Sequence, residues 1–503
     1  MTEKQTDNTL PVLHNRLTFC KISVLTALLL LFATPFTLAQ TWSEPSVIWA
    51  KPLLAQRTDF IFDLDGNIHC VWSTKHGTNY YLIYHSRSTD DGETWSNPIS
   101  PSQNSSMWMT QPHIVCDSDN QLHLTYDHNV GSIINLQIIH KVYNGIHWGA
   151  ADTVTIGEAG FEHNRLAIDK DDRLYCFWFT GGTSNGRARY RYKDKGSGTW
   201  SETIQPYSDS LKVFIQKVII DDNNTIHCVG STNVLGNSWY HISYFNTSGG
   251  IWNPIENVGP LTTGNKSDMA LDNQNHPHVV WQHKGLQSPP GTDSTMYRYF
   301  DGTTWPESEF IVQQGAQMAV CVDHYNNKHI VVSQKSEAGY QLVHYRYLAG
   351  SWVGQVIDEH EYSHYDPKLI HRGSKLYLVH CMTDTIVGNT GHTRIVMRQY
   401  DIVTAQKEIE NQTVDRLNVF PNPFGYQTNI HFEILNKARV NVQVYNIKGE
   451  LQTTLFSSER EPGKIELTWD GTDSYGMRVP SGIYMVKIVA ADKTFLNKVE
   501  LIK

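Results

Sequence analysis

The sequence predicts an all-β chain: a seven-bladed β-propeller closed by its N-terminal strand, followed by a small immunoglobulin-like β-sandwich. Three observations carry this. Apolar residues come in short alternating runs rich in Val, Ile, Tyr and Trp, with no long stripe at helical period. Tryptophans stand at Trp42, Trp95, Trp148, Trp200, Trp252, Trp305 and Trp352, a step of roughly fifty residues, which is the span of a propeller blade. A second series keeps phase with them, from Asp63-Leu64-Asp65-Gly66-Asn67-Ile68-His69 through starts at Asp117, Asp169, Asp221, Asp272 and Asp323 to a degenerate copy at His371.

Before the repeats, His14, Arg16 and Lys21 precede an apolar run from Ile22 to Leu38, and Thr37-Leu38-Ala39 is a small-residue cleavage site. The run is short for a membrane span, so residues 1–39 read as a secretory signal, with no span expected after its removal. The formal charge of −9 over 503 residues argues against general nucleic-acid binding. Six cysteines follow the signal. Cys70, Cys176 and Cys228 fall in one slot of different blades, and such slots do not approach to disulfide distance, so free buried thiols are expected. No zinc-type spacing occurs, and no metal or cofactor is expected.

The propeller is placed at residues 40–403. Each repeat reads as a buried strand, a D-x-x-G-like turn, a second strand, a variable loop, a third strand, an aspartate turn and an outer strand opening at the Trp. In the first repeat these are Phe60 to Phe62, Asp63 to Asn67, Ile68 to Trp72, Ser73 to Asn79, Tyr80 to Ser86, the aspartate turn, and Trp95 to Ile99. Trp42 to Trp49 is an outer strand with no blade before it, and the last unit, ending near Val403, lacks a fourth strand. The two are expected to pair, which removes an open edge. The clearest aspartate turn is Ser88-Thr89-Asp90-Asp91-Gly92-Glu93-Thr94-Trp95. There Asp90 accepts backbone N–H bonds, Gly92 takes positive φ, and the Trp95 ring folds over the hairpin as a plug. These copies resemble the BNR or Asp-box repeat of sialidase-like β-propellers, over Trp42 to about Val403.

A polar linker is expected over 404–415 and a sandwich over 416–503. The sandwich carries Pro421-Asn422-Pro423-Phe424, Trp469-Asp470-Gly471-Thr472-Asp473, Gly476 and Ser481-Gly482-Ile483-Tyr484, between runs punctuated by Gly, Asp and Pro. In order, length and terminal position these elements resemble the C-terminal sorting domain of the type IX secretion system of Bacteroidetes. That resemblance implies export through the signal, recognition of residues 416–503 by the secretion machinery, and a secreted or outer-membrane surface location.

Repeats supply their own control for function. A polar residue found in one slot of many blades is structural, and one peculiar to a single blade is a candidate. His69, His123, His227, His278 and His329 share a slot and cannot all face one ligand, so inter-blade packing is expected of them. The loops joining second to third strands, and blade to blade, are expected around the channel mouth opposite the aspartate turns. Blade-specific residues there are Arg57, His76, Trp108, His113, His128, Glu162, His163, Asn164, Arg165, Arg187, His283, Lys284, His364, Tyr365 and His392. Aromatics suit stacking on sugar rings, and His and Arg suit an acidic glycan.

Three functions fit this set. A surface propeller that binds glycan or protein without catalysis needs only the rim. A polysaccharide lyase cleaving uronate polymers by β-elimination needs a group to neutralise the carboxylate, a base and an acid, for which His113, His128, His163 and Arg165 are the candidates. A sialidase needs three arginines on the substrate carboxylate, a Tyr nucleophile with its Glu, and an acid. Arg57, Arg165 and Arg394 are the available arginines, no Tyr/Glu pair is evident, and Gln56-Arg57-Thr58-Asp59 stands where that family has its F/Y-R-I-P motif.

Overall fold

The structure, a computed structural model, describes residues 41–76, 80–102, 108–129, 136–155, 162–180, 186–208, 210–234, 240–262, 266–284, 293–348, 351–387, 390–402, 414–434, 437–446, 450–490 and 493–502. The expected signal, and the expected linker up to residue 413, lie outside the described residues. All regular structure described is β-strand, and no described helix is long and apolar enough to cross a membrane.

Residues 46–401 form seven antiparallel sheets. In chain order the first holds Ala55–Phe62, Ile68–His76 and Tyr80–Ser88, and the second holds Met109–Cys116, Leu122–Asn129, Leu136–Tyr143 and Asp152–Thr153. Glu162–Ile168, Leu174–Thr180 and Arg187–Lys193 make the third. Leu211–Ile220, Ile226–Val234, His241–Ser248 and Ile251–Trp252 make the fourth, where Glu256–Asn257 also pairs with His241–Ser248. The fifth is Ser267–Leu271, Pro277–His283, Ser294–Tyr299 and Glu309–Gln313, and the sixth is Gly315–Val322, Lys328–Ser336, Gly339–Leu348 and Ser351–His360. In the seventh, His364–Arg372, Lys375–Val387 and Thr390–Asp401 are joined by Ser46–Lys51, which pairs antiparallel with Thr390–Asp401. The expected outer strand Trp95 to Ile99 is reduced to one bridge, Ile99 to His85.

First strands of successive sheets contact one another, and the first strand of the seventh contacts that of the first. Two sets of side chains tie neighbouring sheets together. In the D-x-x-G slot of the six aspartate-led copies only Gly66 is glycine, and the degenerate seventh has its Gly373 one position earlier. Asn120, Asp172, Asn224, Asn275 and Asn326 adopt the same left-handed conformation, with φ between 60° and 64°, which Asn and Asp tolerate best among residues bearing a Cβ. Their side chains bond back to the preceding sheet's turn: Asn120 Oδ1 accepts from Leu64 N (2.8 Å), and Asn275 Nδ2 donates to Asp221 Oδ2 (2.9 Å).

The tryptophans are the second set: Trp148 and Trp352 cover their own hairpins, at Tyr143 and Tyr347 (5.2 Å each), and the rings also reach the preceding sheet. Trp148 packs edge-on against His85 of the first sheet (5.3 Å), Trp200 against His140 of the second (5.5 Å), and Trp352 against Tyr297 of the fifth (5.0 Å). Trp42 donates Nε1 to His344 Nδ1 of the sixth (3.2 Å), and Trp95 donates Nε1 to Ser46 Oγ of the seventh (3.2 Å). Trp95→Ala should therefore lower stability by about 2–3 kcal/mol with ligand affinity unchanged; equal thermal midpoints for variant and parent would contradict this.

Of the five histidines, His69 packs between sheets, meeting the Tyr143 ring of the second sheet edge-on (6.3 Å). The hydrogen-bond partners lie within each sheet: His69 bridges Asp63 Oδ2 (3.1 Å) and His85 Nε2 (3.0 Å), with the same triplet at Asp117–His123–His140 and Asp323–His329–His344. Tyr244 and Tyr297 replace the second imidazole in the fourth and fifth sheets. The six described cysteines are free, and all but Cys116 are buried.

The C-terminal part is a two-sheet sandwich. One sheet is Val414–Phe420, Thr428–Ile434 and Gly463–Trp469; the other is Leu451–Arg460, Ala438–Asn446, Gly482–Ala490 and Lys493–Leu501. Val440, Val442, Val444, Val486 and Ile488 alternate into the core around Trp469, whose ring meets Phe424 and Tyr484. Val414 and Asp415 already pair with Ile434 and Glu433, so the sandwich begins two residues before the expected boundary. Asp470 and Asp473 accept backbone N–H bonds within their turns, so the motif aspartates are turn formers.

Candidate functional site

The seven first strands line one cavity of about 640 Å³. In five of them the residue four before the D-x-x-G aspartate is ionisable: Asp59, His113, Arg165, Lys217 and Asp268, opposite Val71, Thr125, Phe177, Val229 and Val280 of the second strands. Lys368, opposite Val379, takes this place in the seventh sheet and Ala319 in the sixth. One slot earlier the ladder breaks. Register shifts interrupt six of the seven first strands, and in adjacent sheets seven, one, two and three the bulge puts Asp366, Arg57, Gln111 and His163 at φ between 53° and 63°. Such a conformation is strained for side chains bearing a Cβ, and bulges re-aim side chains where a ladder would bury them.

Buried polar partners hold this bulge in the third sheet. Asn164, wholly buried, donates from Nδ2 to Gln111 O (2.8 Å) and Asp127 Oδ1 (2.7 Å), and accepts from Thr125 Oγ1 (2.7 Å). Asp127 Oδ2 accepts from His163 N (3.2 Å), and the His163 ring, stacked on Phe179, bonds to the Gln111 amide (2.9 Å). Burial pushes the Asp127 carboxyl up to about 7, against the pull of the Asn164 hydrogen bond.

A relay of three residues crosses the first three sheets. His113 Nδ1 faces Asp59 Oδ2 (3.2 Å), and Arg165 Nη1 faces His113 Nε2 (3.2 Å). The guanidinium can only donate, so Nε2 accepts and Nδ1 carries the proton towards Asp59. Burial depresses the imidazole to about 4, with the Arg165 charge adding to it, so His113 is neutral at pH 7. Burial disfavours the Asp59 anion, yet the His113 hydrogen bond and the charges of Lys368 and Lys217 hold its carboxyl below the usual range. Arg165 also donates to Gln216 O (2.5 Å) and Asn164 O (2.7 Å), and burial draws it down to about 10.

Around the cavity, Arg57, Arg165, Lys217, Lys266 and Lys368 outnumber Asp59, Asp268 and Asp366. Lys368 lies 3.5 Å from Asp366, and Lys217 lies 3.9 Å from Asp268. Among the described residues, no hydrogen bond or ion pair satisfies the Arg57 guanidinium or the Lys266 ammonium. Burial, and then the Arg57 charge, pull the Lys266 ammonium below its ordinary value. A chain of net charge −9 thus encloses a locally cationic cavity. No group of three or more His, Cys, Asp or Glu among the described residues is arranged to hold a metal ion.

Of the residues singled out in the sequence, Arg57, His113, His163 and Arg165 are brought together here. Asn164 and Tyr365 are structural: the Tyr365 hydroxyl joins Ala55 O (3.0 Å) to Thr393 Oγ1 (2.8 Å). His364 is buried in the wall of a neighbouring cavity. His76, stacked on Tyr80 and bonded to the Tyr84 hydroxyl (3.0 Å), stays with its own hairpin, whereas Trp108, at the start of the second sheet, packs edge-on to Tyr81 of the first. His128, Arg187, His283 and His392 stand at hairpin ends opposite Gln137, Thr180, Ser294 and Thr385. Glu162 opens the first strand of the third sheet, and Lys284 ties its backbone to Thr262 Oγ1 (2.9 Å). Arg394 is exposed and pairs with Ala50 on the outer strands, so the three arginines do not converge. Asp59, Gln111, Asp127, Lys217, Lys266, Asp268, Asp366 and Lys368 were missed. The comparison of repeats would have found several of them, since six charged or imidazole residues share one slot in strands that are otherwise largely apolar.

Residues 424–494 match the FlgD Ig-like domain family. No curated protein matches the sequence. Among solved structures, a protein of unknown function from Dyadobacter fermentans is 11% identical over 71% of this chain and 98% of its own, with a TM-score of 0.46. The polysaccharide lyase Uly1 is 8% identical over 66% of this chain and 88% of its own, at 0.46. The NanB sialidase of Streptococcus pneumoniae is 12% identical over 72% and 71%, at 0.43. At this level of identity and superposition these likenesses bear on neither reaction nor ligand.

Proposed function

We propose that the chain is an exported, glycan-binding β-propeller of seven blades, closed by Ser46–Lys51, whose central cavity takes an acidic sugar. The observation that carries the reading is the cationic excess in a cavity lined by all seven first strands, where Arg57 and Lys266 are engaged by no other side chain among the described residues. An enclosed anion offering two acceptor oxygens, such as a uronate carboxylate, fits a guanidinium fork. The pairing of Ser46–Lys51 with Thr390–Asp401 supports the closure. Export by a signal over 1–39, with residues 416–503 as a type IX sorting domain engaging that machinery and a secreted or cell-surface location, is proposed from the sequence; an Ig-like fold at 424–494 is compatible with it.

A lyase acting by β-elimination is the second reading, favoured by the Asp59–His113 pair, in which a carboxylate orients a neutral imidazole as a catalytic base requires. Against it, Arg165 occupies the Nε2 lone pair that would receive the proton. Titrating the purified protein with oligogalacturonate and with heparin-type oligosaccharides tests both. Binding without unsaturated-uronate absorbance is expected, weakened about 10- to 100-fold in Arg57→Met, in line with loss of a charge-assisted hydrogen-bonding group. Growth of that absorbance would establish the lyase, and absence of binding to any acidic oligosaccharide would refute the glycan reading.

A further inference from the structure

A second cavity, of about 340 Å³, adjoins the first at Gln317, which lines both. Its volume lies within the range of small-molecule sites, and its chemistry differs from its neighbour's. Among the described residues no arginine lines it, and the only cationic lining residue, Lys335, is exposed. Asp293 accepts from Gln282 Nε2 (2.5 Å) through Oδ2, while its Oδ1 is buried without a partner. His364 is 1% exposed, and neither ring nitrogen has a partner. The Tyr345 hydroxyl holds Gln334 by its Oε1 (2.7 Å), leaving the amide hydrogens to other acceptors. Tyr340 adds an aromatic ring to the wall.

Buried polar atoms left unsatisfied call for hydrogen-bond partners from a guest. The Asp293 carboxylate requires donors and repels anions. Burial holds the His364 imidazole at about 4, hence neutral, so it adds no cation to attract an acid. A polyhydroxylated, uncharged guest suits these groups: hydroxyl donors for Asp293, acceptors for the Gln334 amide, a hydroxyl that can donate to or accept from the neutral His364 ring, and an apolar sugar face for Tyr340.

We propose that this cavity is a subsite for an uncharged sugar residue, with Asp293 accepting from its hydroxyls and Tyr340 packing on its ring. Resting on the acidic-glycan reading of the adjoining cavity, it narrows the ligand to a heteroglycan in which an acidic unit neighbours a neutral one. Saturation-transfer NMR on the purified protein, with the methyl glycosides of glucose, galactose and mannose and separately with glucuronate, tests it. Saturation of at least one methyl glycoside is expected, with affinity about tenfold weaker in Asp293→Asn and in Tyr340→Ala, and glucuronate binding retained in both. No transfer to any of the three glycosides, or parental affinity in both folded variants, overturns the proposal. Failure of glucuronate alone to bind removes the acidic-site reading, while the methyl glycosides still decide this one.

Discussion

Taking the protein from pH 7 to pH 5 should remove several kcal/mol of its stability. Burial holds His85 and His163 at about 3 and His113 and His364 at about 4, and drives His344 and His380 well below the ordinary imidazole value. A base whose folded pKa is depressed stays neutral in the native chain and protonates when it unfolds. Its contribution is complete above about pH 6.5 and is lost progressively as pH falls towards the folded value. At pH 5 each such group has lost up to about 2 kcal/mol. Asp127 works in the opposite sense. Its raised carboxyl takes up a proton in the native chain between about pH 7 and its unfolded value, relieving its own burial cost and offsetting about one histidine. Six histidines against one carboxyl leave a net loss, read as a falling urea midpoint at pH 7, 6 and 5. A midpoint that holds across this range would mean that the imidazoles are not buried as described.

Asn164→Ala should cost about 3–5 kcal/mol, near the top of what single substitutions do. Asn164 is the sole hub linking Thr125, Asp127 and the Gln111 carbonyl across the second and third sheets. Its truncation strands a buried hydroxyl, a carboxyl oxygen and a carbonyl, each costing about 1–3 kcal/mol if left unmade. It also releases the strained bulge at His163, which adjoins Arg165, so acidic-glycan affinity should fall with stability. Denaturation in urea of variant and parent measures this; a midpoint shift worth less than about 1 kcal/mol would show that water replaces the amide.

How much of this was legible in the sequence depends on how local each feature is. The two repeating series were visible because a D-x-x-G-like turn and an aspartate turn carry their chemistry within a few residues, where Asp90 Oδ1 accepts from Thr94 N and Ser88 Oγ from Gly92 N. The orphan strand at the start and the incomplete unit at the end could be counted, and Ser46–Lys51 does pair with Thr390–Asp401. The bulges could not be seen. Arg57, Gln111, His163 and Asp366 carry no local mark of a left-handed backbone, and their conformation comes from partners 36 to 308 residues away, as in the bonds from His163 N to Asp127 and from Thr58 N to Asp366. Reading rim loops for chemistry favoured conspicuous His and Trp residues over plain Asp and Lys inside the first strands. Most of the charged side chains lining the cavity are of the latter kind.

The most faithful aspartate turn, which follows the third strand of the first sheet, sits against the seventh sheet. Asp91 takes hydrogen bonds from Lys375 and Tyr377 (2.7 Å each), and Gly92 packs so closely on Met397 that a Cβ would stand 2.7 Å from its sulfur. The set of partners is complete only once residue 397 has been made, the two hydrogen-bond donors lying 284 and 286 residues after Asp91. The contact that fastens the first sheet to the seventh is thus long-range in sequence and cannot form early in synthesis.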